Sequence, residues 1–204
     1  MMSNSASLAL NNVSKAYGLY SAVKNINLEF SSKELCLLVG PNGSGKSTIL
    51  KLLAGLLSPD AGTVTASPEI AKSPIGYASH EPGLYGALSV KENLSLFSSL
   101  LGDSTPVSSL LSTWNLEGLS GRMLWELSKG QQSRVALARV FLGSARCVLL
   151  DEPTAFLDDT STDSLCAFLN AQCKEQLVII ATHDVGRLTQ LKPRVISLHN
   201  GEIV

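Results

Sequence analysis

One segment, residues 40–47, constrains the fold of this chain more than any other part of its sequence. It consists of GPNGSGKS, preceded by the apolar run 35–39 and followed by a helical pattern over residues 46–57. In a G-x-x-x-x-G-K-S loop between a strand and a helix, glycines let backbone N–H groups surround an anion at the helix N-terminus. The sequence therefore predicts an α/β fold that binds a phosphate group, and the alternative is a chance glycine-rich turn.

The residues of this phosphate loop have separate expected tasks. Lys46 is expected to reach the β- and γ-phosphates of a nucleotide as a point charge, and the Ser47 hydroxyl is the expected Mg²⁺ ligand. The candidate nucleotide-binding residues are Gly40, Pro41, Asn42, Gly43, Ser44, Gly45, Lys46, Ser47 and Thr48.

A second motif, VLLDE at residues 148–152, ends an apolar run in two adjacent carboxylates. Ligands of open α/β sheets bind at the carboxyl ends of the strands, which is where these acids would lie. Asp151 suits the Mg²⁺ shell, and Glu152 suits a general base that polarises the attacking water. Two acids after a strand can also begin a solvated helix, but the phosphate loop favours the catalytic interpretation.

Strand and helix patterns alternate along the chain and predict a mainly parallel central sheet flanked by helices. Short, uninterrupted apolar runs are typical of central strands that are covered on both faces. The predicted central strands are residues 35–39, 148–150 and 178–181, and the predicted helices are residues 46–57 and 162–173.

The two ends and the middle of the chain differ from this pattern. LALNNVS and AVKNINLEF predict an N-terminal antiparallel edge sheet, and Asn200-Gly201 predicts a hairpin turn near the C-terminus. Residues 86–127 are rich in Ser and Leu with helical spacing, which predicts a helical insertion. We therefore expect one domain over residues 1–204.

The amino-acid composition excludes several classes of protein. The chain has 204 residues, 45% of them hydrophobic, with a formal net charge of −1, which excludes collagen, disorder and a disulfide scaffold. Such a balance supplies no field to hold a nucleic-acid backbone, so we expect no nucleic-acid partner. The four cysteines form no CxxC pair and are expected to be reduced core thiols, with metal or redox use as the alternative.

Export and membrane insertion are not expected. No uncharged apolar run approaches the roughly 20 residues that span a bilayer. The start of the chain, MMSNSASLALNNVS, lacks both a basic region and a sustained apolar region. The chain is therefore expected to be neither secreted nor membrane-spanning by itself.

A third segment, LSKGQQSRVALAR at residues 127–139, narrows the function. It has a serine suited to cap a helix and a nearby glycine, which leave backbone N–H groups free to face an anion. This signature segment resembles the signature motif of the ATP-binding-cassette (ABC) family, LSGGQ, with Lys129 in place of the first glycine. The resemblance extends in family order over nearly the whole chain.

The resemblance assigns roles to further residues. Tyr17 matches the aromatic residue that stacks on adenine, although by itself it would be a strand tyrosine. Residues 155–158, AFLD, match the D-loop that crosses to the partner subunit. His183, in ATHD, matches the switch histidine that contacts the γ-phosphate, whereas a lone histidine after a strand is more often structural.

His80 departs from the family pattern. The segment YASHEPGLYG aligns with the Q-loop, where glutamine normally contacts Mg²⁺ and the attacking water. A neutral imidazole offers one donor and one acceptor, so His80 is expected to replace glutamine in part. Glu81 is a weaker substitute because its negative charge would face the phosphates.

The family mechanism implies ATP and Mg²⁺ as ligands and a second cassette, here an identical copy, as partner. The signature segment would close on the ATP of that second subunit, which makes Ser128, Gly130, Gln131 and Asp158 candidate ATP-binding residues. Separate integral membrane subunits would dock on the helical insertion and the Q-loop region, with this chain peripheral on the cytoplasmic face of the membrane. The alternatives are a soluble ABC-type ATPase of cofactor or macromolecular assembly, and a nucleotide-dependent binding module that hydrolyses ATP slowly.

The short length, His80 and the HEPGLYGALSVKENL context are similar to the haem-exporter ATPase of bacterial cytochrome c maturation. The resemblance therefore implies haem export. The form ATHD argues for a transporter of another cargo, because the haem-export subfamily often has glutamine after the histidine.

Overall fold

The computed structural model describes residues 7–143 and 145–204. The prediction for the start of the chain falls partly on residues 1–6, which lie outside the described residues. The strands are β1 (Leu8–Tyr17), β2 (Tyr20–Phe30), β3 (Leu35–Val39), β4 (Ala61–Ala66), β5 (Ile75–Ala78), β6 (Cys147–Asp151), β7 (Leu177–Thr182), β8 (Arg194–His199) and β9 (Glu202–Ile203). The α-helices are α1 (Lys46–Leu53), α2 (Pro68–Ala71), α3 (Val90–Leu101), α4 (Val107–Thr113), α5 (Lys129–Val140) and α6 (Asp159–Gln172).

The central sheet has the strand order β5-β6-β7-β3-β8-β9. The pairs from β5 to β8 are parallel, and only the terminal pair of β8 with β9 is antiparallel. A mainly parallel sheet was predicted, and the structure confirms it. The position of β7 between β3 and β6 matters for the site, because it brings the end of β7 between the phosphate loop and the two carboxylates.

The central strands separate two hydrophobic cores, as their uninterrupted apolar runs predict. In β3, Leu35 and Leu37 belong to the core shared with α3, α5 and α6, whereas Cys36 and Leu38 belong to the core shared with α1, β1 and β2. This alternation follows the two-residue period of a strand. Burial within the second core raises the pKa of the Cys147 thiol to about 12.

The predicted antiparallel sheet is a separate sheet with the strand order β2-β1-β4. It includes β4, which the sequence analysis did not identify. β2 also connects to the C-terminal hairpin, because the N–H of Lys24 donates to the Gly201 carbonyl at 2.8 Å. Asn200 and Gly201 have φ values of +50° and +83°, which is the conformation of the predicted two-residue turn between β8 and β9.

The first predicted helix is shorter than expected. The pattern predicted residues 46–57, but α1 ends at Leu53. Gly55 takes a left-handed φ of +70°, and the N–H of Leu56 turns back to the Lys51 carbonyl at 2.9 Å. This arrangement is a Schellman-type termination, which glycine favours because it has no Cβ.

β3 has the predicted bounds, whereas the bounds of α6, β6 and β7 differ from the prediction by one to three residues. α6 begins three residues earlier than predicted because the Asp158 side chain accepts the N–H of Ser161 at 2.8 Å and caps the helix. β6 and β7 each extend one residue further at both ends than predicted, so Asp151 is the last residue of β6. Within residues 7–143 and 145–204, no helix is long and apolar enough to cross a bilayer.

The segment between residues 86 and 127 contains α3, α4 and two short 3-10 helices. Ser89 and Glu92 form a reciprocal capping box that begins α3, and Gly102 ends it with a φ of +62°. The segment packs on the core side of α5, which carries the signature segment. The assignment of residues 1–204 to one domain stays a prediction.

Candidate functional site

The carboxyl ends of the parallel strands form the candidate site. The phosphate loop follows β3, and β6, β7 and β5 end next to Glu152, His183 and His80 respectively. One cleft is lined by residues 42–47 of the phosphate loop together with Tyr17, Thr48, His80, Asp151 and Glu152. The tertiary structure thus brings together residues that are far apart in the sequence.

The glycines of the phosphate loop are required by the local geometry. Gly43 and Gly45 have φ values of +81° and +106°, which side-chain-bearing residues rarely adopt. A Cβ on Gly45 would collide with the Ala22 carbonyl, and a Cβ on Gly40 would collide with the Leu198 carbonyl. The loop is therefore wedged between β2 and the end of β8, with no room for side chains at these positions.

Lys46 lies at the base of the loop and is only 5% exposed. Its Nζ donates to the Gly40 carbonyl at 2.7 Å and to the Pro41 carbonyl at 3.1 Å. These contacts hold the ammonium group within the curve of the loop, so its charge is available to an anion at the backbone N–H groups.

Asp151 fits a site for a divalent cation. Burial raises the pKa of its carboxyl, and a hydrogen bond with Ser47 opposes that shift. Its Oδ1 atom is buried and has no hydrogen-bond partner among the described residues. A buried carboxylate oxygen without a partner, beside a serine hydroxyl, is an oxygen donor set of the kind that Mg²⁺ takes.

Glu152 is held by groups at the end of β7. Its backbone is left-handed with φ +50°, and its Oε1 accepts the N–H of His183 at 3.0 Å and lies 2.9 Å from His183 Nδ1. The Thr182 hydroxyl lies 3.0 Å from Glu152 Oε2 and 2.9 Å from the Asp184 carbonyl. Because one hydroxyl has one proton, it donates to only one of these two oxygens at a time.

His80 and Tyr17 lie at the sides of the cleft. The His80 ring contacts the ring of Phe156 in the D-loop, with 5.2 Å between centroids. Tyr17 is 48% exposed at the tip of the β1–β2 hairpin and lines the cleft, so it is accessible to a ligand. Glu81 is exposed and does not line this cleft.

The signature segment and Asp158 lie outside the cleft. Ser128 caps α5 by accepting the N–H of Gln131, whose side chain accepts the N–H of Ser128 in return. Gly130 lies against the D-loop, because a Cβ there would be 2.6 Å from the Phe156 carbonyl. Among the described residues, the signature segment and the D-loop therefore contact each other and do not line the cleft of the phosphate loop.

Two residues of the site were missed by the sequence analysis. The Tyr20 hydroxyl donates to the Gly43 carbonyl at 2.5 Å, and Thr182 orients Glu152. Thr182 lies between the apolar run 178–181 and His183. This position, next to a candidate site residue, could have identified Thr182 from the sequence. Tyr20 had no comparable signal, because its contact joins strand β2 to a loop that is 23 residues away in the sequence.

Comparisons of this chain with a family model and with known proteins agree on one family. The family model described as ABC transporter matches residues 23–155. The sulfate/thiosulfate import ATP-binding protein CysA of Synechocystis sp. is 36% identical over 97% of this chain, which spans 59% of the length of that relative. The probable sulfate/thiosulfate import ATP-binding protein CysA of Chlorella vulgaris is 34% identical over 97% of this chain and 89% of its own length.

The fold is also similar to solved structures. The dimeric structure of MJ0796, a bacterial ABC transporter cassette, superposes with a TM-score of 0.86 at 27% identity over 96% of both chains. Its post-hydrolysis state bound to ADP and Pi gives the same TM-score. These neighbours confirm the predicted fold class, and the predicted antiparallel edge sheet is present in this chain as β2-β1-β4.

Proposed function

This chain belongs to the ABC transporter family, and from that premise we propose that it is the ATP-binding and ATP-hydrolysing subunit of a membrane transporter. The observation that carries the proposal is the convergence of Lys46, Asp151 and Glu152 on one cleft beside the phosphate loop. A phosphate loop alone indicates nucleotide binding, whereas a buried acid and a tethered acid beside it support hydrolysis.

Different residues of the cleft bind different parts of ATP. Backbone N–H groups of the phosphate loop and the Lys46 ammonium bind the β- and γ-phosphates, and Tyr17 stacks on the adenine. Ser47 and Asp151 would hold Mg²⁺, which neutralises charge on the phosphates when bound. The partnerless Oδ1 of Asp151 supports this assignment.

Glu152 acts as the general base. It accepts a proton from the attacking water, whose oxygen forms a bond to the γ-phosphorus as the bond to the β–γ bridging oxygen breaks. The products are ADP and inorganic phosphate. His183 holds Glu152 and contacts the γ-phosphate, and His80 faces the attacking water.

A second copy of the chain completes the site. Ser128, Gly130, Gln131 and Asp158 lie outside the cleft of their own chain, so they are free to face the nucleotide of a partner subunit. The dimeric state of the MJ0796 cassette supports this arrangement. ATP would then stabilise the dimer, and hydrolysis would loosen it.

Membrane subunits on separate chains would dock on a groove between the central sheet and α3. Exposed leucines line it, with Leu56 at 60% and Leu100 at 67% exposure. Exposed apolar residues that lie together in one groove are typical of an interaction surface. Docking there would place the chain at the cytoplasmic face of the membrane.

The transported cargo has two candidates. The resemblance noted at His80 predicts haem export, and this stays a prediction that the relatives named above do not support. The names of the Synechocystis and Chlorella relatives instead favour sulfate or thiosulfate import as the second candidate.

ATP binding tests the central assignment. The Lys46→Ala variant should lose at least about tenfold in Mg-ATP affinity, because it removes the charge beside the phosphates. The matched control is Lys72→Ala, which removes an exposed lysine outside the cleft and should bind normally. Full affinity in Lys46→Ala would contradict the phosphate-loop assignment.

Partner identification tests the transporter assignment. A tagged Glu152→Gln variant is extracted from membranes in mild detergent with Mg-ATP, and the co-purifying proteins are identified by mass spectrometry. Integral membrane subunits are expected, and either haem-handling or sulfate-binding proteins among them would identify the cargo. A soluble partner would favour an assembly ATPase, and ATP binding without hydrolysis in the unmodified chain would favour a binding module.

A further inference from the structure

Tyr20 joins the β1–β2 hairpin to the phosphate loop. Its hydroxyl donates to the Gly43 carbonyl at 2.5 Å, while 54% of the residue remains exposed. A ring that is half in solvent contributes little to a hydrophobic core, so burial does not explain its position. The hydrogen bond to the loop is therefore the interaction by which Tyr20 can matter.

Most of the loop carbonyls are engaged by donors that cannot be removed without altering the loop or the backbone. These donors are Lys46 Nζ for Gly40 and Pro41, the N–H of Ser44 for Pro41, the N–H of Gly201 for Ser44, and the N–H of Ile49 for Gly45. The Gly43 carbonyl differs because its donor is the side-chain hydroxyl of Tyr20, which lies in β2. This hydroxyl can be deleted without touching a proposed phosphate ligand.

The peptide unit between Gly43 and Ser44 is held by two hydrogen bonds, one at its oxygen and one at its N–H. Its oxygen accepts the Tyr20 hydroxyl, and its N–H donates to the Pro41 carbonyl at 3.1 Å. This peptide unit is flanked by Gly43, at φ +81°, and by Ser44, so its rotation changes ψ of Gly43 and φ of Ser44. Because Gly43 has no Cβ, the Gly43 side of this peptide plane offers little local resistance to such a rotation.

Such a rotation would matter because a carbonyl oxygen turned toward the anion would repel it, whereas N–H groups attract it. A donor on the carbonyl therefore holds the loop in the conformation that accepts phosphate. We propose that Tyr20 is a positioning residue that preorganises the phosphate loop through Gly43. This inference rests on the proposed function, because it assumes that the loop binds the phosphates of ATP.

The hairpin then carries two tyrosines with different tasks. Tyr17 and Tyr20 are direct cross-strand partners, and both line the cleft. Tyr17 is assigned to the base of the nucleotide, whereas Tyr20 acts on the loop that holds its phosphates. The two tasks make different demands on the ligand, because only the first requires a base.

The test compares two ligands, Mg-ATP and Mg-tripolyphosphate, by isothermal titration calorimetry on the full chain. Tyr20→Phe keeps the ring and deletes only the hydroxyl, and Tyr17→Leu removes the ring assigned to the base. The matched control is Tyr85→Phe, which deletes the hydroxyl of a tyrosine with 52% exposure outside the cleft. Melting temperatures of all variants are measured alongside.

Tyr20→Phe is expected to bind both ligands about threefold to tenfold more weakly, as the loss of one neutral hydrogen bond implies. Tyr17→Leu should weaken only Mg-ATP, and Tyr85→Phe should weaken neither. All melting temperatures should stay close to that of the unmodified chain, since no substituted side chain is buried.

Other outcomes would overturn the inference or its premise separately. Unchanged binding of both ligands by Tyr20→Phe would show that the hydrogen bond is dispensable. A loss confined to Mg-ATP would make Tyr20 a contact of the base and overturn its assignment to the loop. Failure of the unmodified chain to bind either ligand would instead remove the proposed function.

Discussion

His183 is joined to Glu152 at two points, because its N–H donates to Glu152 Oε1 at 3.0 Å and its Nδ1 lies 2.9 Å from the same oxygen. Glu152 needs such support, since its left-handed backbone conformation costs about 1–3 kcal/mol for a residue with a side chain. The carboxylate is therefore held by a neighbouring strand, β7, and not by its own. This fixes its direction into the cleft before any ligand arrives.

The first prediction concerns the proposed general base. Glu152→Gln should lower kcat by at least about 100-fold, because an amide cannot accept the proton of the attacking water. ATP affinity should be retained, so the ATP-bound dimer should accumulate and be visible by size-exclusion chromatography with Mg-ATP. Hydrolysis at the unmodified rate would contradict the assignment of Glu152 as base.

A second prediction separates the support of Glu152 from its chemistry. Thr182→Val keeps the shape of the side chain but deletes the hydroxyl near Glu152 Oε2. It should lower kcat about threefold to tenfold and leave the KM for ATP within about twofold, because the hydroxyl orients the base and binds no phosphate. Thr113→Val, in an exposed part of α4, is the control. A change confined to KM would argue against this role.

A third prediction concerns the C-terminal hairpin, which supports the phosphate loop. The N–H of Gly201 donates to the Ser44 carbonyl at 3.1 Å, and a Cβ on Gly201 would be 2.9 Å from the Ala22 carbonyl. Gly201→Ala should therefore destabilise the fold by more than about 1 kcal/mol in urea unfolding and should weaken ATP binding.

The control for that variant is Gly55→Ala. Gly55 also has a positive φ, +70°, but a Cβ there would meet open space. This variant should lose about 1 kcal/mol of stability from backbone strain alone and bind ATP normally. Equal losses of ATP affinity in the two variants would show that the hairpin does not support the loop.

A fourth prediction is a pH dependence of stability. The Asp103 carboxylate accepts the N–H of Gly143 at 2.6 Å, and this hydrogen bond lowers the pKa of Asp103. Because the folded-state pKa is below the unfolded-state value, the contribution is present above the unfolded value and is lost as the pH falls through the folded value.

Asp103→Asn should therefore be less stable than the unmodified chain near neutral pH, and the difference should close in acid. The measurement is urea unfolding in steps from neutrality to about pH 2, below the usual range of an aspartate. Glu117→Gln removes an exposed carboxylate and serves as control. A stability difference that is constant over this range would exclude the carboxylate as its cause.

A fifth prediction concerns His80, where the resembling family has glutamine. His80→Gln should hydrolyse ATP at least as fast as the unmodified chain, whereas His80→Ala should be several-fold slower. The alanine lacks both the polar atoms that face the cleft and the ring contact with Phe156. Equal rates in all three proteins across pH would make His80 a bystander.

The sequence was sufficient for features that depend on neighbours along the chain. The phosphate loop, the strand before it and the turn at Asn200-Gly201 all have local signals, because the required backbone angles restrict which residues fit. Helix ends were less predictable. The end of α1 depends on Gly55, and the start of α6 depends on the Asp158 side chain, so both were misplaced by a few residues.

Contacts between residues far apart in the sequence decided the strand order and the geometry of the site. The sequence by itself predicted the candidate residues for the chemistry and placed the strands before them in a mainly parallel sheet. Only the tertiary structure decided that β7 lies between β3 and β6, that His183 holds Glu152, and that Tyr20 reaches Gly43. The physical reason is that strand order and contacts between sheets arise from the burial of whole faces, which leaves no mark on the short spacings within any one segment.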